Sequence, residues 1–199
     1  MNSTNKYLFA KLSTIGRTWL RINHSSFSRQ TSYLKQQLAS YDIDKRIKAE
    51  KLACNIAEKF KICGIIAVEM FLTNQDEILV NEVAPRPHNS YHFSIEGSYT
   101  SQFEQFLRAI LDLPLGSTKI LQNSVMVNLV GEKNSKGIVE YKNFDQIIGI
   151  EGVNPHIYGK LETKPNRKMG HITIINEDIE IAKTIAKEIK ETIIITTRK

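Results

Sequence analysis

The sequence predicts an α/β chain of the α+β type, with a leader ahead of two folded units. Three observations predict this class: a helical apolar repeat after residue 42, a hairpin of two apolar strands within residues 64–84, and a later run of strands around one helix. A chain of 199 residues, 41% of them hydrophobic, can bury a core in one or two domains. We expect a leader at 1–41, a first unit at 42–118 and a small second unit at 119–199.

The leader has an unusual composition. Residues 1–41 contain no Asp or Glu and eleven Ser or Thr, and the first 50 residues hold nine Lys or Arg against three acids. The net charge of +6 therefore comes from the front of the chain. An organellar transit peptide, a disordered leader and a segment left by a shifted reading frame all fit this composition. Its basic residues are scattered and form no stripe with aromatics, so we expect no nucleic-acid partner.

The apolar runs and the two cysteines indicate the cellular environment of the protein. No apolar run reaches the roughly 18 residues that a membrane-spanning helix needs, so we expect a cytoplasmic chain without a membrane partner. Cys54 and Cys63 form no CxxC pair and lie in apolar stretches. They are predicted to be buried, reduced thiols, since disulfides and metal sites use other spacings and compartments.

The first unit should begin with an amphipathic helix. Apolar residues recur there at helical spacing: Ala49, Leu52, Ala53, Ile56, Ala57 and Phe60. The helix should end near Gly64. From that point GIIAVEMFLT predicts a strand, NQDE a tight turn and ILVNEVA the returning strand of a hairpin.

A second helix is predicted within SYTSQFEQFLRAILDLPLG. Ser101 and Glu104 form a capping box, and Pro114 and Gly116 end the helix. One apolar face consists of Phe103, Phe106, Leu107, Ile110 and Leu111. The small unit then opens with the strand SVMVNLVG, continues through GVNPHIYGKLETKPNRKMGHITII and a helix near residues 177–191, and closes a sheet with TIIITT.

The hairpin places two carboxylates opposite each other. If Gln75 and Asp76 form a two-residue loop, Glu69 pairs with Glu82 on one face of the sheet. Like charges at paired positions about 5 Å apart repel, and a cation between them removes that cost. Oxygen ligands suit Mg²⁺, which takes one or two carboxylates and completes its shell with phosphate and water. Alternatively, a register shifted by one residue sends the two side chains to opposite faces and leaves one solvated.

The hairpin, the loop after it and the second helix carry motifs in a characteristic order. Glu69 is followed by NEVAPRPHNS, which contains Glu82, and then by SQFEQ, and YGK and NRKMGH occur later. This series resembles N5-carboxyaminoimidazole ribonucleotide synthetase, an ATP-grasp ligase of purine biosynthesis, from about residue 48 to the end. Biotin carboxylase and glycinamide ribonucleotide synthetase share that architecture but not PRPHNS followed by SQFEQ. The resemblance implies the C-terminal half of an ATP-grasp fold with a small, mixed, β-rich C-terminal domain.

The resemblance also implies a reaction and its residues. In that family ATP phosphorylates bicarbonate to carboxyphosphate, which delivers CO₂ to the amine of 5-aminoimidazole ribonucleotide and leaves ADP and phosphate. Glu69 and Glu82 would hold Mg²⁺ on the nucleotide, and Arg86 and His88 would face the reacting groups. The residues implied in ribonucleotide binding are Asn89 and Ser90, through hydrogen bonds, and Lys160 and Arg167, at the 5′-phosphate. A homodimer is implied as well.

Two departures from the family pattern affect this expectation. Tyr91 stands where the family usually has Gly after HNS, so a positive φ or a need for space there would strain the chain or block the pocket. The family's N-terminal half, with its lid and ATP-binding lysines, has no recognisable counterpart in this sequence. We therefore expect a truncated synthetase with incomplete catalytic equipment.

Two other classes of function remain open from the sequence. A noncatalytic remnant or interaction module would keep the fold without turnover. A small metal-binding protein using Glu69, Glu82 and His88 is the third alternative, although no compact ligand cluster with closed geometry is visible in the sequence.

Overall fold

A four-stranded sheet forms the first of two units. The computed structural model describes residues 6–14, 22–25, 43–73 and 75–198, and the chain divides into Met1–Ile120 and Leu121–Lys199. This division lies two residues beyond the 118/119 boundary expected from the sequence.

The sheet of the first unit has the strand order β2-β1-β3-β4. Its strands are β1 (Lys6–Thr14), β2 (Ile22–Ser25), β3 (Gly64–Leu72) and β4 (Ile78–Ala84). The β1–β3 pair is parallel, and the β1–β2 and β3–β4 pairs are antiparallel. Most of β3 is buried, in keeping with its nearly continuous apolar sequence. Both strands of the predicted hairpin are confirmed.

Strands β1 and β2 fall within the segment expected to be a leader. Strand β1 pairs with β3 along its whole length, from Lys6 opposite Gly64 to Thr14 opposite Leu72. The other leader positions, 1–5, 15–21 and 26–41, lie outside the described residues.

A folded body that begins near residue 42 stays a prediction. Limited proteolysis is expected to leave a fragment that starts at about residue 35–50, because the acid-free segment has little apolar periodicity. Strong protection of residues 5–30 would contradict this prediction and show that the pairing of β1 with β3 holds the leader in the sheet.

Helix α1 (Ile43–Lys59) packs against β3 through small side chains. Ala49, Ala53 and Ala57 are buried on one face and form a core with alternate residues of β3: Ile66, Val68, Met70 and Leu72. Alanines four residues apart allow the helix to approach the sheet closely. The predicted apolar face is confirmed for these alanines. It is wrong at Phe60, which is 65% exposed because the helix has ended at Lys59.

Helices α2 (Ser94–Gly97) and α3 (Gln102–Ile110) follow the hairpin. The Ser101 hydroxyl accepts a hydrogen bond from Glu104 N at 3.2 Å, which confirms the predicted N-cap. Helix α3 lies over the start of β3, where a side chain on Gly64 would come within 3.2 Å of the Phe106 ring. Gly64 therefore allows the helix to sit on the sheet.

The second unit contains two three-stranded sheets and one long helix. The elements are β5 (Ser124–Val130), β6 (Gly137–Lys142), β7 (Val153–Ile157), β8 (Glu162–Thr163), β9 (Lys168–Ile175), α4 (Ile179–Thr192) and β10 (Ile194–Thr197). The sheet orders are β5-β9-β7 and β10-β6-β8. The predicted late helix is confirmed, and TIIITT closes a sheet because β10 pairs with β6.

The core of this unit forms between α4 and the strands. Ala182, Ala186 and Ile189 share one face of α4 and pack with buried strand residues, which include Leu129, Met169, Ile172, Ile174 and Ile195. The spacing of these three helix residues is the one expected for a single buried stripe. Among the described residues, no helix is long and apolar enough to cross a membrane.

The two cysteines are unpaired but differ in exposure. Cys63 is exposed, so the prediction of burial was wrong for it, whereas Cys54 is partly buried. Burial, followed by the charges of Glu50 and Glu58, raises the pKa of the Cys54 thiol to about 11.

This contrast predicts selective alkylation. Because only the thiolate reacts, a pKa of about 11 in place of the ordinary thiol value of 9.0 should slow iodoacetamide labelling of Cys54 about a hundredfold at pH 8. Cys63 should label first, and the Cys54 rate should rise until about pH 11. Peptide mass spectrometry after timed labelling checks this, and equal rates at both thiols at pH 8 would contradict it.

Candidate functional site

The β3–β4 hairpin brings Glu69 and Glu82 to paired positions, as the sequence predicted. The loop and the strand pairing that produce this register differ from the predicted ones. Leu72 pairs with Ile78, and the register shifts by one residue between Glu69 and Met70. A β-bulge with an extra residue in β4 therefore restores the pairing of the two carboxylates.

The loop explains the difference in register. Thr73 N donates to Glu77 O at 2.9 Å, so the connection is longer than the predicted Gln75–Asp76 loop. The Thr73 hydroxyl accepts from the backbone N–H groups of Gln75 and Glu77 at 3.2 and 3.1 Å. Asp76 has a φ of 62°. The side-chain bonds of Thr73 fix this wider turn, and that detail was missing from the sequence-based loop assignment.

His88 lies between the two carboxylates. Its Nδ1 is 3.6 Å from Glu69 Oε1, and its Nε2 is 3.4 Å from Glu82 Oε1. The Glu69 side chain is 13% exposed and that of Glu82 is 50% exposed. The two carboxylates repel each other, so a positive charge placed between them stabilises the pair.

Ser90 joins the same cluster. Its hydroxyl donates to Glu69 Oε1 at 3.2 Å, and its backbone N–H donates to His88 Nδ1 at 3.4 Å. Asn89 begins the 3₁₀ turn Asn89–Tyr91 that carries Ser90 back towards the sheet. The structure thus brings four of the predicted site residues into direct contact: Glu69, Glu82, His88 and Ser90.

Gln102 holds the loop that carries His88. Its Oε1 accepts from His88 N at 2.8 Å, and its Nε2 donates to His88 O at 3.0 Å. The same Nε2 lies 2.8 Å from His92 Nδ1. Gln102 was not predicted as part of the site, although a glutamine next to the N-cap of an amphipathic helix is a usable signal. A buried amide needs partners, and here the partners are the loop backbone.

Arg86 is exposed at the start of this loop. Its Nη1 donates to Pro87 O at 3.0 Å, so the guanidinium folds back on the adjacent peptide. Pro85 and Pro87 restrict the backbone on either side.

Tyr91 does not have the strained backbone that the comparison with Gly suggested. The described non-glycine residues with positive φ are Lys61, Asp76, Asp112, Asn143 and Asn166, and Tyr91 is not among them. Its side chain is 1% exposed, and its ring stacks with Phe93 at 6.2 Å. The expectation of backbone strain was therefore wrong, because the 3₁₀ turn accepts any L-residue and the ring is buried in the fold.

Lys160 and Arg167 lie in the second unit, on either side of β8. Lys160 Nζ donates to Lys168 O at 2.5 Å and lies 5.3 Å from the centre of the Tyr158 ring. Arg167 Nη1 donates to Glu162 O at 2.9 Å. Both cationic side chains are thus attached to the backbone of one short segment.

Two histidines flank the same segment in the chain, His156 before it and His171 after it. The rings of His156 and His171 stack at 4.4 Å, and the Tyr158 hydroxyl lies 3.0 Å from His171 Nδ1. His171 is buried. Packing of these rings fixes Tyr158, on which Lys160 rests.

The carboxylate pair is better suited to an open Mg²⁺ site than to a closed metal centre in which the protein supplies every ligand. In the part of the chain that the structure describes, no group of three or more His, Cys, Asp or Glu is arranged to hold a metal. The third alternative, a small metal-binding protein, is thus unsupported there. Two carboxylates, one of them half exposed, match a cation that completes its shell with phosphate and water.

Comparisons with known proteins agree with this architecture. The ATP-grasp domain family matches residues 22–103, and the phosphoribosylaminoimidazole carboxylase C-terminal domain family matches residues 124–184. The fold and the carboxylate hairpin thus define the class as ATP-grasp. The chain belongs to the N5-carboxyaminoimidazole ribonucleotide synthetase family and corresponds to its C-terminal half.

Individual relatives cover most of the chain. The N5-carboxyaminoimidazole ribonucleotide synthase of Bacillus subtilis is 44% identical over 146 residues, which are 72% of this chain and 37% of the relative. The Thermotoga maritima synthetase structure matches with a TM-score of 0.72 and 46% sequence identity. The matched region covers 80% of this chain and 45% of the Thermotoga chain.

A third relative was solved with ligands. The Aspergillus clavatus synthase, in complex with ADP and 5-aminoimidazole ribonucleotide, has a TM-score of 0.65 and 30% identity. The matched region covers 91% of this chain and 49% of the Aspergillus chain. The chain therefore spans about half, or less, of the length of these relatives.

Proposed function

We propose that this chain is the metal- and substrate-binding half of a 5-(carboxyamino)imidazole ribonucleotide synthase. The activity is the ATP- and bicarbonate-dependent carboxylation of 5-aminoimidazole ribonucleotide in purine (IMP) biosynthesis. The observation that carries the proposal is the contact of His88 with Glu69 and Glu82, which are paired across the hairpin. Family membership supplies the reaction.

The carboxylates of Glu69 and Glu82 would hold Mg²⁺ against the phosphates of ATP. A cation held by these carboxylates would supply charge neutralisation for the transferring phosphoryl group, and such electrostatic stabilisation supplies most of phosphoryl-transfer catalysis. The Ser90 hydroxyl, which donates to Glu69 Oε1, orients that carboxylate.

Arg86 and His88 would serve the bicarbonate and the amine. The exposed Arg86 guanidinium can leave Pro87 O to pair with carboxyphosphate, because a fork of N–H donors fits such an anion. The His88 imidazole, held through its backbone by Gln102, would contact the aminoimidazole. Asn89 and Ser90 would hydrogen-bond the ribonucleotide.

Lys160 and Arg167 would bind the 5′-phosphate. An ammonium and a guanidinium on one short segment suit a phosphate, and both now donate to backbone carbonyls that a bound anion can replace. The substrates would be ATP, bicarbonate and the ribonucleotide, in a cytoplasmic homodimer. A noncatalytic remnant or interaction module of the same fold is the second candidate.

The metal proposal predicts weak Mg²⁺ binding that strengthens with ADP or ATP. Glu69→Gln and Glu82→Gln should each weaken the nucleotide-dependent affinity by about tenfold or more, because each removes one of the two carboxylate ligands. Isothermal titration calorimetry with Mg²⁺ and ADP measures this.

Glu77→Gln is the matched control. Glu77 is an exposed acid at the loop of the same hairpin, and its replacement should leave the affinity within about twofold. Unchanged nucleotide-dependent binding in both Glu69→Gln and Glu82→Gln would refute the paired-ligand site.

A further inference from the structure

Helix α3 buries its polar side and exposes its apolar side. Gln102 and Gln105 are each 1% exposed. Four apolar residues, here called the outer stripe, are 37–63% exposed: Phe103, Leu107, Ile110 and Leu111. These residues recur at three- and four-residue spacing and therefore line one side of the helix. An amphipathic helix at a protein surface normally has the opposite orientation.

Two glutamine amides fix this orientation. Gln102 pairs with both the N–H and the C=O of His88. Gln105 Nε2 donates to Gly116 O at 2.7 Å, and its Oε1 accepts from Gly116 N at 3.0 Å. Turning the helix to bury the outer stripe would break four hydrogen bonds and leave buried amides unsatisfied, which costs about 1–3 kcal/mol for each group.

The polar groups beside the stripe are satisfied by each other. Arg108 Nε and Nη2 donate to Glu104 Oε1 at 2.9 and 2.6 Å, and Arg108 Nη1 donates to Pro114 O at 3.0 Å. An apolar strip edged by paired polar groups has the composition of a protein interface, with an apolar centre and a polar rim.

We propose that the outer stripe is the docking surface for the N-terminal half of a synthetase of this family. The matched solved relatives carry at least as much chain again, since this chain covers 45–49% of their length. Each of these relatives therefore has, in the same polypeptide, a further segment that can cover the outer stripe. This inference rests on the proposed function, because it names the partner that completes the proposed active site.

Thiol protection tests the inference. Leu107→Cys and Leu161→Cys are made separately in a Cys63→Ser background, where the remaining Cys54 has a pKa of about 11 and reacts slowly. Leu161 is 83% exposed, lies in the second unit and is the matched control. The probe is the N-terminal half of the Thermotoga maritima synthetase, added in excess. We expect iodoacetamide labelling at position 107 to slow by about tenfold or more, and labelling at position 161 to stay unchanged.

A fused version keeps the test decisive if the separate fragment folds poorly. The Thermotoga half is joined ahead of this chain, and labelling at position 107 is compared before and after urea denaturation. Equal labelling at position 107 in the native fusion and in the chain alone overturns the inference. Protection that grows with the concentration of the chain alone also overturns it and indicates a second copy.

Nucleotide-dependent Mg²⁺ binding is measured on the same samples. If nucleotide-dependent Mg²⁺ binding is present and position 107 stays accessible, the proposal that the outer stripe is a docking surface is wrong, and the proposed function is unaffected. If position 107 is protected and Mg²⁺ binding is absent, the docking proposal is confirmed and the proposed metal site is wrong.

Discussion

The chain alone is expected to show no bicarbonate-dependent release of phosphate from ATP. A ligase of this kind must enclose ATP between two lobes, so that bicarbonate and not water receives the phosphoryl group. The described residues provide the carboxylates and the His88 loop, whereas the resemblance places the lid and the ATP-binding lysines in the family's N-terminal half. The assay contains ATP, Mg²⁺, bicarbonate and 5-aminoimidazole ribonucleotide.

Addition of a fragment with the family's front and lid domains should restore part of the turnover. Arg86→Ala is the control, because it should abolish the restored activity without changing the buried core. Robust turnover by the unaided chain, lost in Arg86→Ala, would contradict the prediction. No turnover even with the added lobe would favour the noncatalytic remnant.

Tyr91→Gly is expected to destabilise the first unit by about 3–5 kcal/mol, the range for removing a buried aromatic side chain. Tyr91 is 1% exposed and packs on Phe93, so its removal leaves a cavity beside the His88 loop. Glycine also adds backbone freedom to the unfolded chain, at a further cost of about 0.5–1 kcal/mol. Urea unfolding followed by circular dichroism measures the effect.

Tyr99→Gly provides the same chemical change at an exposed position. Tyr99 is 63% exposed, so its replacement should cost about 1 kcal/mol or less. A Tyr91→Gly protein as stable as the parent, with stronger ribonucleotide binding, would show that the tyrosine ring obstructs the pocket and supports no core.

Local sequence patterns determined the elements around the site. Strand β4 and strand β5 begin and end where their apolar segments do, and the N-cap of α3 follows from Ser101 and Glu104. Such features depend on residues close together in the chain, so periodicity and capping chemistry suffice to predict them. The family motifs depend on local order as well.

The opposition of Glu69 and Glu82 was predicted correctly from an incorrect loop. The bulge beside Glu69 and the wider turn at Thr73 compensate each other by one residue. A one-residue shift reverses the face of every side chain. Without the bulge the wider turn would place Glu69 opposite Asn81, so the extra residue in β4 restores the pairing of the two carboxylates.

The orientation of α3 was decided only by tertiary structure. Its sequence determined an apolar stripe with the expected spacing, but two buried glutamines bind the backbone at His88 and Gly116 and turn the stripe outward. The same bonds place His88 between Glu69 and Glu82. The glutamine bonds join residues 14 and 11 positions apart, outside the turn-to-turn spacing of a helix, and buried amides must find partners wherever the fold provides them. Spacing along the chain does not contain that information.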